Sequence, residues 1–374
     1  MAPLHLAVAS IASLRRCLAI AAIIGLVAVP EAFAAGPVQA ECTLRDFRFH
    51  TGEVLPTLRL NYTTLGERTG APVLVLHGTA GTGTGMLTPG FGGVLFGPGQ
   101  PLDAAKHFII LPDSLGAGQS AKPSDGLRAA FPRYDYTDMV QAQYLLVTEC
   151  LSVKHLRLVL GNSMGGMHAW LWGTTYPGFV DALVPMAAQP SAMAGRNWMM
   201  RRALIESIRQ DPAYQGGAYT VQPPSLRLAN TLFGIGTNGG TLAWQALAPT
   251  TARADQIIDS LLAAPAPADA NDFIWQWDAS RTYDASPGLE RITARVLAIN
   301  AEDDERNPPQ TGLMARGMAR LRHGELLIIP ASAETRGHGT TSLARFWADR
   351  LGAFMAGVPQ DTDRASAGPS LLAQ

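Results

Sequence analysis

The chain has 374 residues, 47% of them hydrophobic and 16% charged, which is enough apolar material for one large buried core or two ordinary ones and is not a disordered composition. The formal net charge is −1, only three lysines occur (Lys106, Lys122 and Lys154), and no Lys/Arg cluster is interleaved with aromatics. This excludes a global field for an anionic membrane, and with it a nucleic-acid partner.

Residues 1–34 differ in kind from the rest. Arg15 and Arg16 precede an apolar run of about fourteen residues (17–30), and Ala32-Phe33-Ala34 then supplies a small–x–small cleavage site. That order is the order of a secretory signal, and the run is shorter than the ~20 residues of a membrane-spanning helix. The expectation is a mature protein that begins near Ala35 and is periplasmic or secreted, with no stable membrane span once the signal is removed. The arginine pair leaves Sec and twin-arginine export both open. Cys17 departs with the leader, while Cys42 and Cys150 remain, either as a bridge or as two buried thiols. Two thiols without a histidine at ligand spacing make no zinc site, and neither metal nor cofactor is expected.

Along the mature chain, residues 43–50 and 55–62 alternate and lie close together, as in an antiparallel pair. Strand patterns follow at 73–77 and 108–112, a helical pattern at 136–151, a strand at 156–160, a helix at 163–176 and a strand at 182–186. Residues 191–285 contain no clear strand, but 198–208 read as an amphipathic helix, and Trp244, Trp275 and Trp277 add large apolar surface. An insertion of that size predicts a helical cap over the carboxyl edge of a sheet. A strand at 296–299, a helix at 309–321, a strand at 326–330 and a helix at 342–356 complete the pattern. The tail, 359–374, is small and polar and is expected to be disordered. Continuous apolar strands separated by helices predict an α/β core from 35–190 and 286–358, with a mostly parallel sheet covered on both faces.

Gly161-Asn162-Ser163-Met164-Gly165 is a G-x-S-x-G run between a strand and a helix. A sharp turn there forces the serine into strained geometry and lifts its hydroxyl clear, at a helix N-terminus that favours developing negative charge. Serine needs a general base, and the base needs an orienting acid. The mature chain offers His50, His77, His107, His155, His168, His323 and His338. His338 follows the last strand and precedes the last helix, where a loop reaches the carboxyl edge. His323 precedes that strand and belongs at the opposite end, and His168 lies inside a helix and packs. The loop after 296–299 carries Glu302, Asp303, Asp304 and Glu305, and the residues alone leave Asp303 and Asp304 both open as the acid. Of the two backbone N–H groups an oxyanion hole needs, Met164 supplies one. The other belongs to the glycine-rich loop 77–83, with Thr79 ahead of Ala80. That loop lacks the Lys-Ser/Thr of a phosphate-binding loop.

Asp113-Ser114-Leu115-Gly116-Ala117-Gly118-Gln119-Ser120 fits a D-x-x-G-x-G-x-S turn, and FPRYDYTDMVQAQ (131–143), GNSMGGMHAW (161–170), DPAYQGGAY (211–219) and WDASRTY (277–283) accompany it. With these runs, residues 46–356 resemble the α/β-hydrolase superfamily, and within it the homoserine O-acetyltransferase-like branch. The resemblance implies the α/β-hydrolase fold with an inserted helical cap. In that branch the acid sits four residues before a Pro-Pro pair, which implies Asp304, and the chain order is Ser…Asp…His. Two positions depart from the branch. The Ala-Arg pair whose guanidinium holds the homoserine carboxylate corresponds to Ala229-Asn230, with Arg227 two positions away. The aspartate that follows the catalytic histidine and holds the substrate amine corresponds to Gly339. A secreted enzyme would also meet no acetyl-CoA. These features imply that the acyl-enzyme machinery is kept and the amino-acid site is lost. The expected activity is hydrolysis of a small-molecule carboxylic ester through acyl-Ser163. Acyl transfer to an alcohol or amine other than homoserine is the alternative, and a non-catalytic binding protein on the same scaffold is a third reading.

Overall fold

The computed structural model describes residues 36–237, 239–264 and 268–359, so the expected leader and nearly all of the expected tail lie outside the described residues. Eight strands form one sheet: β1 (Val38–Arg48), β2 (Val54–Leu65), β3 (Ala71–Leu76), β4 (His107–Pro112), β5 (Leu156–Asn162), β6 (Val180–Met186), β7 (Arg295–Ala301) and β8 (Gly324–Ile329), in the order β1-β2-β4-β3-β5-β6-β7-β8. β1 runs antiparallel to β2 and β2 antiparallel to β4, and every other neighbour is parallel. Side chains alternate across a strand, so the two faces can be read from β3. Val73 and Val75 pack with Phe91, Leu95, Trp347 and Leu351, whereas Leu74 and Leu76 pack with Met139, Trp170 and Trp172. Burial on both faces is why the inner strands read as unbroken apolar runs.

The helices are α1 (Gly92–Leu95), α2 (Tyr136–Leu145), α3 (Met164–Thr175), α4 (Gly195–Arg209), α5 (Ser225–Thr237), α6 (Thr241–Leu247), α7 (Thr251–Ala263), α8 (Ala270–Asp278), α9 (Leu313–Met318) and α10 (Ala348–Ala356). α3 is buried from Met164 to Thr174, all the way round, as its uniformly apolar sequence requires. Helices α4 to α8 all lie between β6 and β7. None of the described helices is long and apolar enough to cross a membrane.

All eight expected strands are present with shifted ends, but three expected helices are shorter. The pattern at 136–151 is α-helical only to Leu145 and closes as a π-turn over Leu146–Cys150. That at 309–321 opens with a 3-10 turn, Pro309–Thr311, before Gly312 at φ 66° and then α9, because proline has no N–H to give and Gly312 turns left-handed. The helix expected from 342 begins only at Ala348. Its approach is held in 3-10 turns, where Arg336 N–H donates to Thr340 Oγ1 and the Thr341 hydroxyl to Asn162, and the Ala344 N–H is drawn off to Gly90 O at 2.9 Å instead of entering a helical ladder.

Two ties pin β1 to the rest. Cys42 and Cys150 form a disulfide that closes a sequence separation of 108 residues. Asp138 accepts from the His50 backbone N–H at 2.7 Å, pairs with the His50 ring at 2.6 Å, and completes a capping box with Asp135 at the start of α2. His50, Asp135 and Asp138 thus cluster closely enough to hold a metal ion, and in this structure Asp138 is engaged instead by the His50 ring and by the His50 and Asp135 backbone N–H groups.

Candidate active site

β5 ends at Asn162 and α3 begins at Met164, which leaves Ser163 alone at the turn with φ 56° and ψ −111°. A side chain on Gly161 would put its Cβ 2.0 Å from the Gly165 oxygen, and one on Gly165 would lie 2.3 Å from the Leu76 oxygen. Those contacts are why glycines flank the serine. Ser163 N–H donates to Met186 O (2.8 Å) and Gly165 N–H to His77 O (3.1 Å), which fasten the strained turn to β6 and to the end of β3.

The Ser163 hydroxyl donates to His338 Nε2 at 2.7 Å, and His338 Nδ1–H donates to Asp304 at 2.9 and 3.1 Å. The Asp304 carboxylate also accepts the Arg306 and Asn307 backbone N–H groups at 2.8 and 3.1 Å. Burial by itself would raise the Asp304 pKa. The His338 charge and hydrogen bond, with those two N–H groups, outweigh it and hold the carboxyl below its ordinary value. Asp303 turns elsewhere, accepting from the Thr335 hydroxyl (2.7 Å) and Gly337 N–H (3.3 Å), and so braces the loop that carries His338. The structure therefore places Asp304, and not Asp303, against the histidine.

The loop after β3 wraps the serine closely: a Cβ on Gly78 would sit 3.4 Å from Ser163 Cβ. Ala80 N–H is taken up by Gln276 Oε1 of α8 at 2.9 Å, whereas the Met164 and Thr79 N–H groups have no protein acceptor among the described residues. Gln276 also donates to Gly116 O. His77 is buried beneath the loop, its Nε2 accepting from Ser114 N–H (3.0 Å) while Nδ1–H donates to Gly78 O (2.7 Å). Burial lowers its pKa and keeps it neutral, as this pair of bonds requires. His168, fully buried with its pKa lowered by burial to about 3, packs edge-on against Tyr136 and accepts from Gln143.

Ser163, His338 and Thr79 line a cavity of about 550 Å³ roofed by α5 residues, among them Arg227, Asn230 and Phe233. Gly339 and Arg306 line it as well. Sequence reasoning missed Gln276, Arg306 and the bracing part of Asn162, whose Oδ1 and Nδ2 bond to Thr341 and Ser342 beside His338. A polar residue between two tryptophans, as in Trp275-Gln276-Trp277, was the available signal for the first.

Comparison with known proteins places this geometry in a family. The family model described as alpha/beta hydrolase fold matches residues 71–332. A homoserine O-acetyltransferase of Thermobifida fusca is 36% identical over 191 residues, which are 46% of this chain and 50% of that protein. The chain thus spans about half the length of that curated relative. A homoserine O-acetyltransferase of Trichormus variabilis is 30% identical over 296 residues, 70% of this chain and 79% of that one. The crystal structure of an acetylester hydrolase from Corynebacterium glutamicum superposes with a TM-score of 0.73 at 20% identity, covering 86% of this chain and 96% of that one. The chain belongs to the α/β-hydrolase family, in its homoserine O-acetyltransferase-like branch.

Proposed function

We propose that this enzyme is an exported serine hydrolase that cleaves a carboxylic ester through an acyl-Ser163 intermediate. The observation that carries the reading is the unbroken hydrogen-bond chain from Ser163 through His338 to Asp304, opening on a cavity. His338 removes the serine proton as Oγ attacks the acyl carbonyl, and Asp304 fixes the ring and balances the imidazolium. The Met164 and Thr79 N–H groups hold the oxyanion, His338 returns the proton to the leaving alcohol, and water repeats the sequence to release the acid. Export rests on the leader-like residues 1–34, and the Cys42–Cys150 bridge supports it because disulfides persist in oxidising compartments.

Transfer of the acyl group to an alcohol or amine uses the same acyl-enzyme and is the second reading, favoured by the acetyltransferase names of the relatives. The homoserine amine, as distinct from its carboxylate, finds no acidic partner in this cavity among the described residues. Asn230, whose amide is turned to Leu226 O at 3.0 Å, stands where the branch has arginine, and Gly339 offers no carboxylate for an amine. The test is hydrolysis of a p-nitrophenyl ester series from acetate to octanoate by the wild type beside Ser163→Ala. Turnover that disappears in the variant is expected, and turnover that survives it overturns the mechanism. With acceptor alcohols added, acylated acceptor formed faster than free acid would move the reading to transfer.

A further inference from the structure

Arg306 is 5% exposed, lies on the wall of the Ser163 cavity, and has no ion-pair partner among the described residues. Its Nε–H donates to Gly236 O at 3.0 Å and one Nη2–H reaches Phe233 O at 3.5 Å. The guanidinium lies over the Phe233 and Trp277 rings at 4.9 and 5.5 Å. A guanidinium has five N–H donors, so most of them are left without an acceptor. The nearby Asp304 carboxylate is committed to His338. Arg201, fully buried and 4.7 Å over the Trp277 ring, adds a second positive charge behind the first. Burial and the Arg201 charge bring the Arg306 pKa down to about 9, which still leaves it cationic at neutral pH.

The Asp304 charge offsets only part of this, because it makes no ion pair with the guanidinium, and a buried cation so poorly matched is costly until an anion arrives in the site. The rest of the wall favours such a visitor. Arg227 lines the same cavity from α5 with no polar side-chain partner among the described residues, and no aspartate or glutamate lines it among them. The planar fork of arginine matches a carboxylate, and Met86 and Phe233 supply apolar wall for a short carbon chain between that carboxylate and the ester.

We infer that the substrate is an ester carrying a free carboxylate, held by Arg306 with help from Arg227 while Ser163 attacks the ester carbonyl. This inference rests on the serine-hydrolase reading above. No new covalent step is involved, and the carboxylate is bound unchanged.

The test compares isosteric ester pairs in which a carboxylate replaces a methyl ketone. Monomethyl succinate against methyl levulinate places the charge on the acyl half, and 3-acetoxypropanoate against 4-acetoxy-2-butanone places it on the alcohol half. Initial rates by pH-stat at neutral pH give kcat/KM for wild type, Ser163→Ala, Arg306→Met, Arg306→Lys and Arg227→Ala. In at least one pair the anionic ester is expected to be favoured by about tenfold or more, as for a charge-assisted Arg–carboxylate contact. Arg306→Met should bring that ratio to about one, with part of it restored in Arg306→Lys and part lost in Arg227→Ala. If Arg306→Met does not fold, the Arg306→Lys and Arg227→Ala ratios carry the test. A ratio of one or below in both pairs overturns the inference, as does an Arg306→Met variant that slows both members equally, because a purely structural arginine would leave the ratio unmoved. Neutral esters turned over in a Ser163-dependent way without preference sink this inference alone. Absence of Ser163-dependent turnover of every ester sinks the hydrolase reading with it.

Discussion

Gln276 Oε1 accepts the Ala80 N–H at 2.9 Å, across 196 residues of sequence, and so fastens the glycine loop beside Ser163 to helix α8 of the inserted segment. The same side chain donates to Gly116 O in the D-x-x-G-x-G-x-S turn. One buried amide therefore sets the position of the loop that carries Thr79 relative to the serine. Gln276→Leu removes the acceptor of the Ala80 N–H and leaves the buried Gly116 O unsatisfied, the latter at a cost of about 1–3 kcal/mol. A fall in kcat of about ten- to a hundredfold is expected with a smaller change in KM, measured by steady-state ester kinetics alongside a thermal melt. A lower melting temperature with unchanged kcat would show that α8 does not position the loop for catalysis.

Asp303 and Asp304 are adjacent carboxylates with different partners, and their amide variants should separate accordingly. Asp304→Asn keeps the shape but loses the charge that orients and stabilises the His338 ring. A loss of about 10³–10⁴ in kcat is expected, the scale seen when a triad carboxylate is made an amide. Asp303→Asn still offers an oxygen to the Thr335 hydroxyl and Gly337 N–H, so its loss should stay within about tenfold. Circular dichroism of both variants checks that the fold is intact, and equal losses would contradict the assignment.

The Cys42–Cys150 bridge ties β1 to the turn that ends α2 and does not line the cavity. Closing a loop of this length restricts the unfolded chain, so removing it should cost about 2–4 kcal/mol. The double variant Cys42→Ser/Cys150→Ser, followed by urea denaturation, is expected to show that loss while its ester turnover at 25 °C stays close to wild type. Stability unchanged within about 0.5 kcal/mol would mean that the bridge does not constrain the unfolded chain.

His50 gives the fold a pH dependence away from the cavity. Burial pushes its pKa down, but the Asp138 hydrogen bond and the charges of Asp135, Asp138 and Glu53 together raise it above the ordinary histidine value. A histidine whose folded pKa is raised stabilises the fold fully below its unfolded pKa and loses that contribution as pH rises through the folded one. The stability difference between wild type and His50→Gln should therefore shrink as pH rises from about 5.5 to 8.5, a range that brackets the ordinary histidine pKa. Denaturation midpoints across that range read the effect, and a difference that grows with pH would reverse the assigned sign.

Much of the architecture was legible because it is written in local pattern. Val73–Leu76 and Leu158–Leu160 are unbroken apolar runs because each strand is buried on both faces, and burial of that kind selects side chains residue by residue. The serine elbow was legible for a similar reason: Gly161 and Gly165 are demanded by contacts only a few residues away, or directly under the turn. Where local rules met longer-range demands, the pattern misled. The helix expected from residue 342 loses its start because the Ala344 N–H is taken by Gly90 O, far away in sequence, at 2.9 Å.

Local pattern was enough for the eight strands, the turn that presents Ser163 and the loop that holds His338, but of helices α4 to α8 it showed only α4. The fold had to settle that the Ala80 N–H is taken by Gln276, that Cys42 meets Cys150, and that Arg306 is buried at the cavity wall with no ion-pair partner among the described residues; it also sets Asp304 against His338, as the family resemblance implied. The division has one physical cause. Secondary structure and tight turns follow from backbone sterics and burial periodicity over a few residues. The pairing of a particular carboxylate, amide or guanidinium depends instead on which distant segments the folded sheet brings within about 3 Å of it.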